Sequence, residues 1–198
     1  MPMPVAFRET EIDGILEVVA TLHPDHRGFF SECYNREVWL EAKFRETFVQ
    51  DNLSLSRRGV LRGMHYQIEP YGMGKLVRTL SGSVYDVAVD LRRGSPTFGK
   101  WLGRELTAEN GLALWIPSGF AHGFIALEDN SLVYYKCTET HHPEAERALA
   151  YNDPEVGIVW PIAPEIVSPK DAAAPGLCDA EFNFAYQPAG KRRVRKDA

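Results

Sequence analysis

Histidines, lysines, tyrosines and an aspartate fall along this chain where they could move protons. His65 lies inside Gly59-Val60-Leu61-Arg62-Gly63-Met64-His65-Tyr66-Gln67, a strand-like run that also carries Arg62. A guanidinium and an imidazole beside an interior need partners, because Arg is almost never buried unpaired and His titrates near neutral pH. An anionic ligand facing the run would satisfy both. Lys75 opens the next apolar run after the Gly72/Gly74 turn, and Pro117-Ser118-Gly119-Phe120-Ala121-His122 delivers a second imidazole after a turn. Tyr134-Tyr135-Lys136 and Lys170-Asp171 complete the set. Each of these side chains alone is more often structural than catalytic. Together they supply a base, a cation, a phenol and a carboxylate, the set needed to abstract a proton next to a carbonyl.

A metal centre is the competing chemistry. The Pro117-x-Gly119-x-x-His122 spacing resembles the second signature of the cupin superfamily, whose β-barrels often hold iron or manganese through three His and one Glu. The first signature requires His-x-His, and here that place reads His65-Tyr66-Gln67. Glu69 stands at the wrong spacing to replace a missing ligand, and so imidazole-poor a site would bind such metals weakly. The spacing therefore predicts no metal.

The elements that must position these residues read as strands. Apolar runs at Leu16–Thr21, Gly59–Gln67, Lys75–Leu80, Ser83–Leu91, Gly111–Ile116, Gly123–Leu127 and Leu132–Thr138 are separated by Gly, Pro, Asn and Asp. Spacing of about ten residues with turn signals between predicts an all-β sandwich or barrel. In Val84–Leu91, Tyr85, Val87, Val89 and Leu91 form one face, while Asp86 and Asp90 share the other with Val84 and Ala88. Two aspartates on one face predict solvent or a polar cavity there. A helix is expected over Arg36–Phe48. After Trp160 the Pro- and Ala-rich chain is expected to wrap the barrel as loops and short helical turns. Strict alternation would send Arg62 and His65 to opposite faces, so a bulge at Gly63 is predicted to bring both to one cavity.

Composition narrows the class. The 198 residues suit one domain, expected over 1–185, with the basic 186–198 as a flexible tail. A formal net charge of −5 argues against nucleic-acid binding, and no window approaches a membrane span. Cys33, Cys137 and Cys178 are few and far apart, and the N-terminus lacks signal-peptide features; both predict a cytoplasmic protein.

Longer segments carry a specific resemblance. Asp25-His26-Arg27-Gly28-Phe29-Phe30-Ser31-Glu32, Gln50-Asp51-Asn52-Leu53-Ser54, Gly59–Gln67, Lys75-Leu76-Val77 and Val87-Ala88-Val89-Asp90-Leu91-Arg92 follow one another in order. Ser95-Pro96-Thr97-Phe98-Gly99, Ile116–Phe124, Tyr135-Lys136-Cys137-Thr138, Asn152-Asp153-Pro154 and Ser168-x-Lys170-Asp171 continue the series. Across roughly residues 5 to 180 the chain resembles the dTDP-4-dehydrorhamnose 3,5-epimerase family. That resemblance implies a metal-free cupin-type jelly roll with a few short peripheral helices, no organic cofactor, and a nucleotide-linked 4-keto-6-deoxyhexose as substrate. It implies His65 as general base with Asp171 orienting it, Lys75 stabilising the enolate oxygen, and Tyr135 as acid on the opposite face. It implies Arg62 on the diphosphate, Gln50 and Asn52 on sugar or phosphate, and His122 and Lys170 as further substrate contacts. Arg27, Phe29 and Glu32 match a segment that reaches the partner subunit's site, so a homodimer is implied.

The chain departs from the family pattern twice. His141, in Glu139-Thr140-His141-His142-Pro143, occupies the usual tyrosine position near the sugar, as a pocket-lining or a surface residue. Tyr71-Gly72-Met73-Gly74 lacks the usual Gln before the lysine. Inversion at C3 and C5 is expected, with a 3-epimerase for another nucleotide deoxysugar as the alternative. A metal-dependent cupin enzyme and a sugar-binding cupin without activity are the other readings. The acid/base set speaks against the last of these.

Overall fold

Alternating or continuous apolar runs give strands wherever glycine, proline or asparagine supplies a turn. The computed structural model describes residues 4–188. The chain begins with β1 (Val5–Glu9) and β2 (Leu16–Ala20), then a hairpin of β3 (His23–Asp25) and β4 (Gly28–Phe30), then α1 (Arg36–Glu41). It continues through β5 (Gln50–Ser56), β6 (Val60–Gln67), β7 (Lys75–Ser81), β8 (Ser83–Asp90) and β9 (Trp101–Thr107). β10 (Leu112–Ile116), β11 (Phe120–Ala126), β12 (Ser131–Cys137), β13 (Glu146–Ala148), β14 (Ile166–Val167) and α2 (Pro169–Ala172) complete it.

Two sheets result. The first has the order β1-β2-β10-β7-β12-β5, and the second β13-β6-β11-β8-β9, with β14 parallel on β6. They face each other as a jelly-roll sandwich. Between them lies a core of Val77, Val84, Leu106, Leu114, Phe120, Phe124 and Val133, all buried. Outside the second sheet, Met64, Val87, Val89 and Leu91 pack under the C-terminal wrap through Leu149, Val156 and Phe184. β8 is thus buried on both faces.

One expectation needs correction and another is narrowed. The helix is one and a half turns long and does not extend to Phe48. Asn35 caps it by accepting from the Glu37 and Val38 amides, and after Ala42 the chain turns through Lys43 at φ 62°. That turn drops Phe44 onto Trp39 at 4.8 Å and Trp115 at 4.9 Å, covering the first sheet's outer face with aromatic rings. Aromatic burial there outweighs helix continuation. Of the two environments expected for the β8 aspartates, solvent is excluded, because Asp86 and Asp90 are both fully buried, and Asp86 meets the polar His122 at 2.8 Å. Asp90 accepts from Arg92 at 2.7 and 2.9 Å, Ser95 at 2.6 Å and Thr97 at 2.7 Å, pinning the loop after β8. Of the expected tail, 189–198 lie outside the described residues, while Tyr186 is tied to the body through the Arg93 carbonyl and the Asp13 carboxylate.

Candidate active site

Arg62 and His65 reach one cavity because β6 carries an extra residue between them. On β11 the partners run from His122, opposite His65, to Phe124, opposite Arg62, so Gly63 and Met64 together oppose Gly123. Two residues facing one is a bulge, and it resets the alternation of side chains. Gly63 sits at φ 130°, and a Cβ there would lie 2.5 Å from the Cα of Gly123. Only glycine fits at this crossing.

The bulge also secures the carboxylate behind His65. β14 runs alongside β6 and leads into α2, whose N-cap Ser168 accepts the Asp171 amide at 3.1 Å. Asp171 Oδ1 then lies 2.7 Å from His65 Nε2, and Asp171 Oδ2 accepts the Gly63 N–H at 3.3 Å. An ionised carboxylate can only accept, so Nε2 carries the proton and Nδ1 keeps its lone pair. The His65 side chain is 33% exposed and that of Asp171 5%, which leaves a reachable base on a buried anchor. Burial lowers the imidazole pKa, and the Asp171 carboxylate opposes that fall. The ring is consequently neutral at neutral pH and able to take a proton.

The facing sheet supplies the other groups. Tyr135 points inward with Val133 and Cys137, while Tyr134 points outward, where its hydroxyl accepts from Lys136 at 3.2 Å. Burial is the main cause that raises the Tyr135 pKa, so the phenol holds its proton. Lys75 Nζ donates to the His65 carbonyl at 3.3 Å. Burial lowers its pKa, opposed by the neighbouring Cys137, Asp86 and Glu146. Arg62 is braced by Ser56 Oγ at 3.0 Å and the Leu55 carbonyl at 3.2 Å, with its guanidinium at the open side. These groups surround a cavity of about 720 Å³, whose wall includes Arg62, His65, Lys75, His122, Tyr135 and Asp171.

The remaining sequence candidates divide. Lys170 is in the cavity wall and pairs with Glu146 at 2.6 Å. Gln50 and Asn52 face inward on β5 and bond each other at 3.2 Å, but β5 gives Leu53 and Ser54 to the wall instead. His141 is not in the wall; it is exposed, 3.6 Å from Glu146, with its amide bonded to Gln50. His142 stacks on Tyr71 at 3.7 Å. Arg27, Phe29 and Glu32 lie in or beside the β3–β4 hairpin, away from this chain's own cavity, and Arg27 pairs with Asp25 at 2.6 Å. Gln67, where the metal signature would place a second His, is committed to backbone: it donates to the Tyr71 and Thr140 carbonyls at 2.9 and 3.1 Å and accepts from the His142 amide at 2.7 Å.

Three contributors escaped the sequence reading. Asp86 holds His122 at 2.8 Å, Glu146 holds Lys170 at 2.6 Å, and Ser56 braces Arg62. Only Asp86 left a signal, as a carboxylate on the core-facing side of a strand. Glu146 and Ser56 sit in polar stretches with no periodicity to mark them.

Comparison with known proteins covers the span that holds these residues. A family model described as dTDP-4-dehydrorhamnose 3,5-epimerase matches residues 9–179. The Shigella flexneri dTDP-4-dehydrorhamnose 3,5-epimerase is 47% identical over 175 residues, covering 88% of this chain and 97% of that protein. The Neisseria gonorrhoeae enzyme of that name is 52% identical over 189 residues, and the match spans 57% of its greater length. The crystal structure of the 3,5-epimerase from Legionella pneumophila Philadelphia 1 in complex with dTDP-4-keto-L-rhamnose superposes with a TM-score of 0.87 at 44% identity, covering 92% of this chain and 99% of that one. A 3'-monoepimerase from Streptomyces bikiniensis in complex with dTDP-quinovose gives 0.81 at 34% identity, covering 86% and 87%.

Proposed function

The chain belongs to the dTDP-4-dehydrorhamnose 3,5-epimerase family, and from that membership and the cavity we propose that it inverts C3 and C5 of dTDP-4-dehydro-6-deoxy-D-glucose to give dTDP-4-dehydro-L-rhamnose. The observation that carries the reading is the placement of an oriented base and a protonated phenol on facing sheets. His65 stands on the second sheet and Tyr135 on the first, with Lys75 beside them. Inversion requires a proton to leave one face of a carbon and another to arrive on the opposite face. The C4 ketone acidifies the hydrogens at C3 and C5. His65 Nδ1 takes one, Lys75 meets the negative charge that develops on O4, and Tyr135 delivers a proton from the other side. Asp171 stabilises the imidazolium formed on the way. Arg62, with its planar fork at the open side, binds the diphosphate. His122 and Lys170 contact the substrate from the wall, while Gln50 and Asn52, which lie outside the wall, are assigned to sugar or phosphate by the family resemblance alone. No cofactor takes part.

We further infer a homodimer in which Arg27, Phe29 and Glu32 complete the partner's site. Phe29 and Phe30 are 51% and 70% exposed on the β3–β4 hairpin, which pairs with neither large sheet, and Leu53 and Leu55 are exposed on the edge strand β5. An edge strand with an outward apolar row is a ready surface for a second chain. The three free cysteines fit a reducing compartment, and we assign the protein to the cytoplasm.

A 3-epimerase is the second reading, favoured by His141 at the family's tyrosine position and by the likeness to the monoepimerase. Incubation with dTDP-4-keto-6-deoxyglucose in D₂O, followed by NMR, decides. Deuterium at both carbons is expected. Deuterium at C3 alone establishes the second reading, and none at either carbon rejects both.

A further inference from the structure

A second carboxylate–imidazole pair backs the same cavity. Asp86 extends from β8 into the space between the sheets, is fully buried, and places Oδ2 2.8 Å from His122 Nε2. Its Oδ1 has no hydrogen-bond partner among the described residues. Around it on β8 and β11 stand Val84, Ala88, Phe120 and Phe124, members of the apolar core. A carboxylate in such surroundings is costly to bury, and the fold alone would be served better by an apolar side chain. His122, by contrast, is the cross-strand neighbour of His65 and shares the cavity wall with Lys75.

We propose that Asp86 is a positioning residue of this cavity, acting through His122. It fixes His122 as the Nε2–H tautomer, so that Nδ1 accepts a hydrogen bond from a substrate hydroxyl. The inference rests on the epimerase reading and adds to it a second anchored imidazole, distinct from the His65–Asp171 pair.

The test is Asp86→Asn, which keeps the shape and removes the charge. With dTDP-4-keto-6-deoxyglucose, kcat is expected to fall tenfold or more. ¹⁵N NMR of the histidine-labelled variant is expected to show the His122 proton moved to Nδ1, because the asparagine can turn an amide N–H toward Nε2. A His122 tautomer unchanged from wild type, or a kcat within threefold of wild type, overturns the proposal. Should the variant fail to fold, ¹⁵N NMR of histidine-labelled wild-type protein reads the same claim. His122 protonated on Nε2 alone at pH 7.5 supports it, and an Nδ1–H tautomer or an imidazolium overturns it. Failure of the epimerase reading shows separately, as wild-type protein that exchanges no deuterium.

Discussion

Replacing Asp171 with Asn tests how much of the activity depends on the orientation of His65. The carboxylate uses both oxygens: Oδ1 accepts from His65 Nε2 at 2.7 Å and Oδ2 from the Gly63 amide at 3.3 Å. An asparagine has one acceptor and one donor, so it can serve only one of these N–H groups. Turning its carbonyl to Gly63 puts an amide N–H against the imidazole and drives the proton to Nδ1, the atom that should act as base. Turning it to His65 leaves the Gly63 N–H facing a donor. A charge-assisted hydrogen bond is worth about 1.5–3 kcal/mol, which converts to a loss of roughly 10- to 150-fold in kcat. Asp171 also raises the His65 pKa against the fall imposed by burial. Removing its charge lowers that pKa further, so the acid limb of the rate profile moves to lower pH while the plateau drops. Exchange of C3 and C5 hydrogens measured by NMR between pH 5 and 9 reports both effects. A plateau within about threefold of wild type, or an acid limb displaced upward, refutes the assigned orientation.

Other expectations follow from the same geometry. Gly63→Ala adds a Cβ 2.5 Å from Gly123 and 2.9 Å from the His122 carbonyl at a φ of 130°; it should cost about 2 kcal/mol or more, seen as a fall of about 4–8 °C in Tm, and an unchanged Tm would show that the crossing has room. Arg62→Lys keeps the charge but loses the fork, so KM should rise about tenfold with kcat nearly unchanged, and a fall in kcat alone would deny it a binding role. If the proposed homodimer forms, Phe29→Ser with Phe30→Ser should convert it to monomer by light scattering and depress activity; a dimer of full activity would remove the hairpin from the interface.

Much of the sandwich is legible in the sequence because its central strands are buried on one or both faces. Lys75–Ser81, Ser83–Asp90, Leu112–Ile116 and Ser131–Cys137 show this as apolar runs between turn residues. β5 hides because its pattern is inverted. Gln50, Asn52 and Ser54 face inward while Leu53 and Leu55 face out, so hydrophobic periodicity gives no strand there. β9 hides behind Gly103, which reads as a breaker. That glycine is needed because a Cβ would collide with the Tyr85 ring.

The site was legible where chemistry and local conformation coincide. Arg62 and His65, three apart with a glycine between, imply the bulge that the β6–β11 register contains. Strand alternation lets only one of Tyr134 and Tyr135 reach the cavity, and the family pattern is what picks Tyr135. The Asp86–His122 pair depends on strands 36 residues apart meeting in register, which no local pattern records. His141 was a candidate by family position alone, and the loop carrying it is set by Gln67 and Gln50 from other strands.

The central claim is that base and acid act from opposite faces of the sugar, and comparing two variants tests it directly. With dTDP-4-keto-6-deoxyglucose in D₂O, Tyr135→Phe should still exchange hydrogen next to the ketone, because His65 and Lys75 remain, but without inversion. His65→Ala should exchange nothing. If Tyr135→Phe abolishes exchange as completely as His65→Ala, or if His65→Ala still exchanges, the two-faced account is wrong.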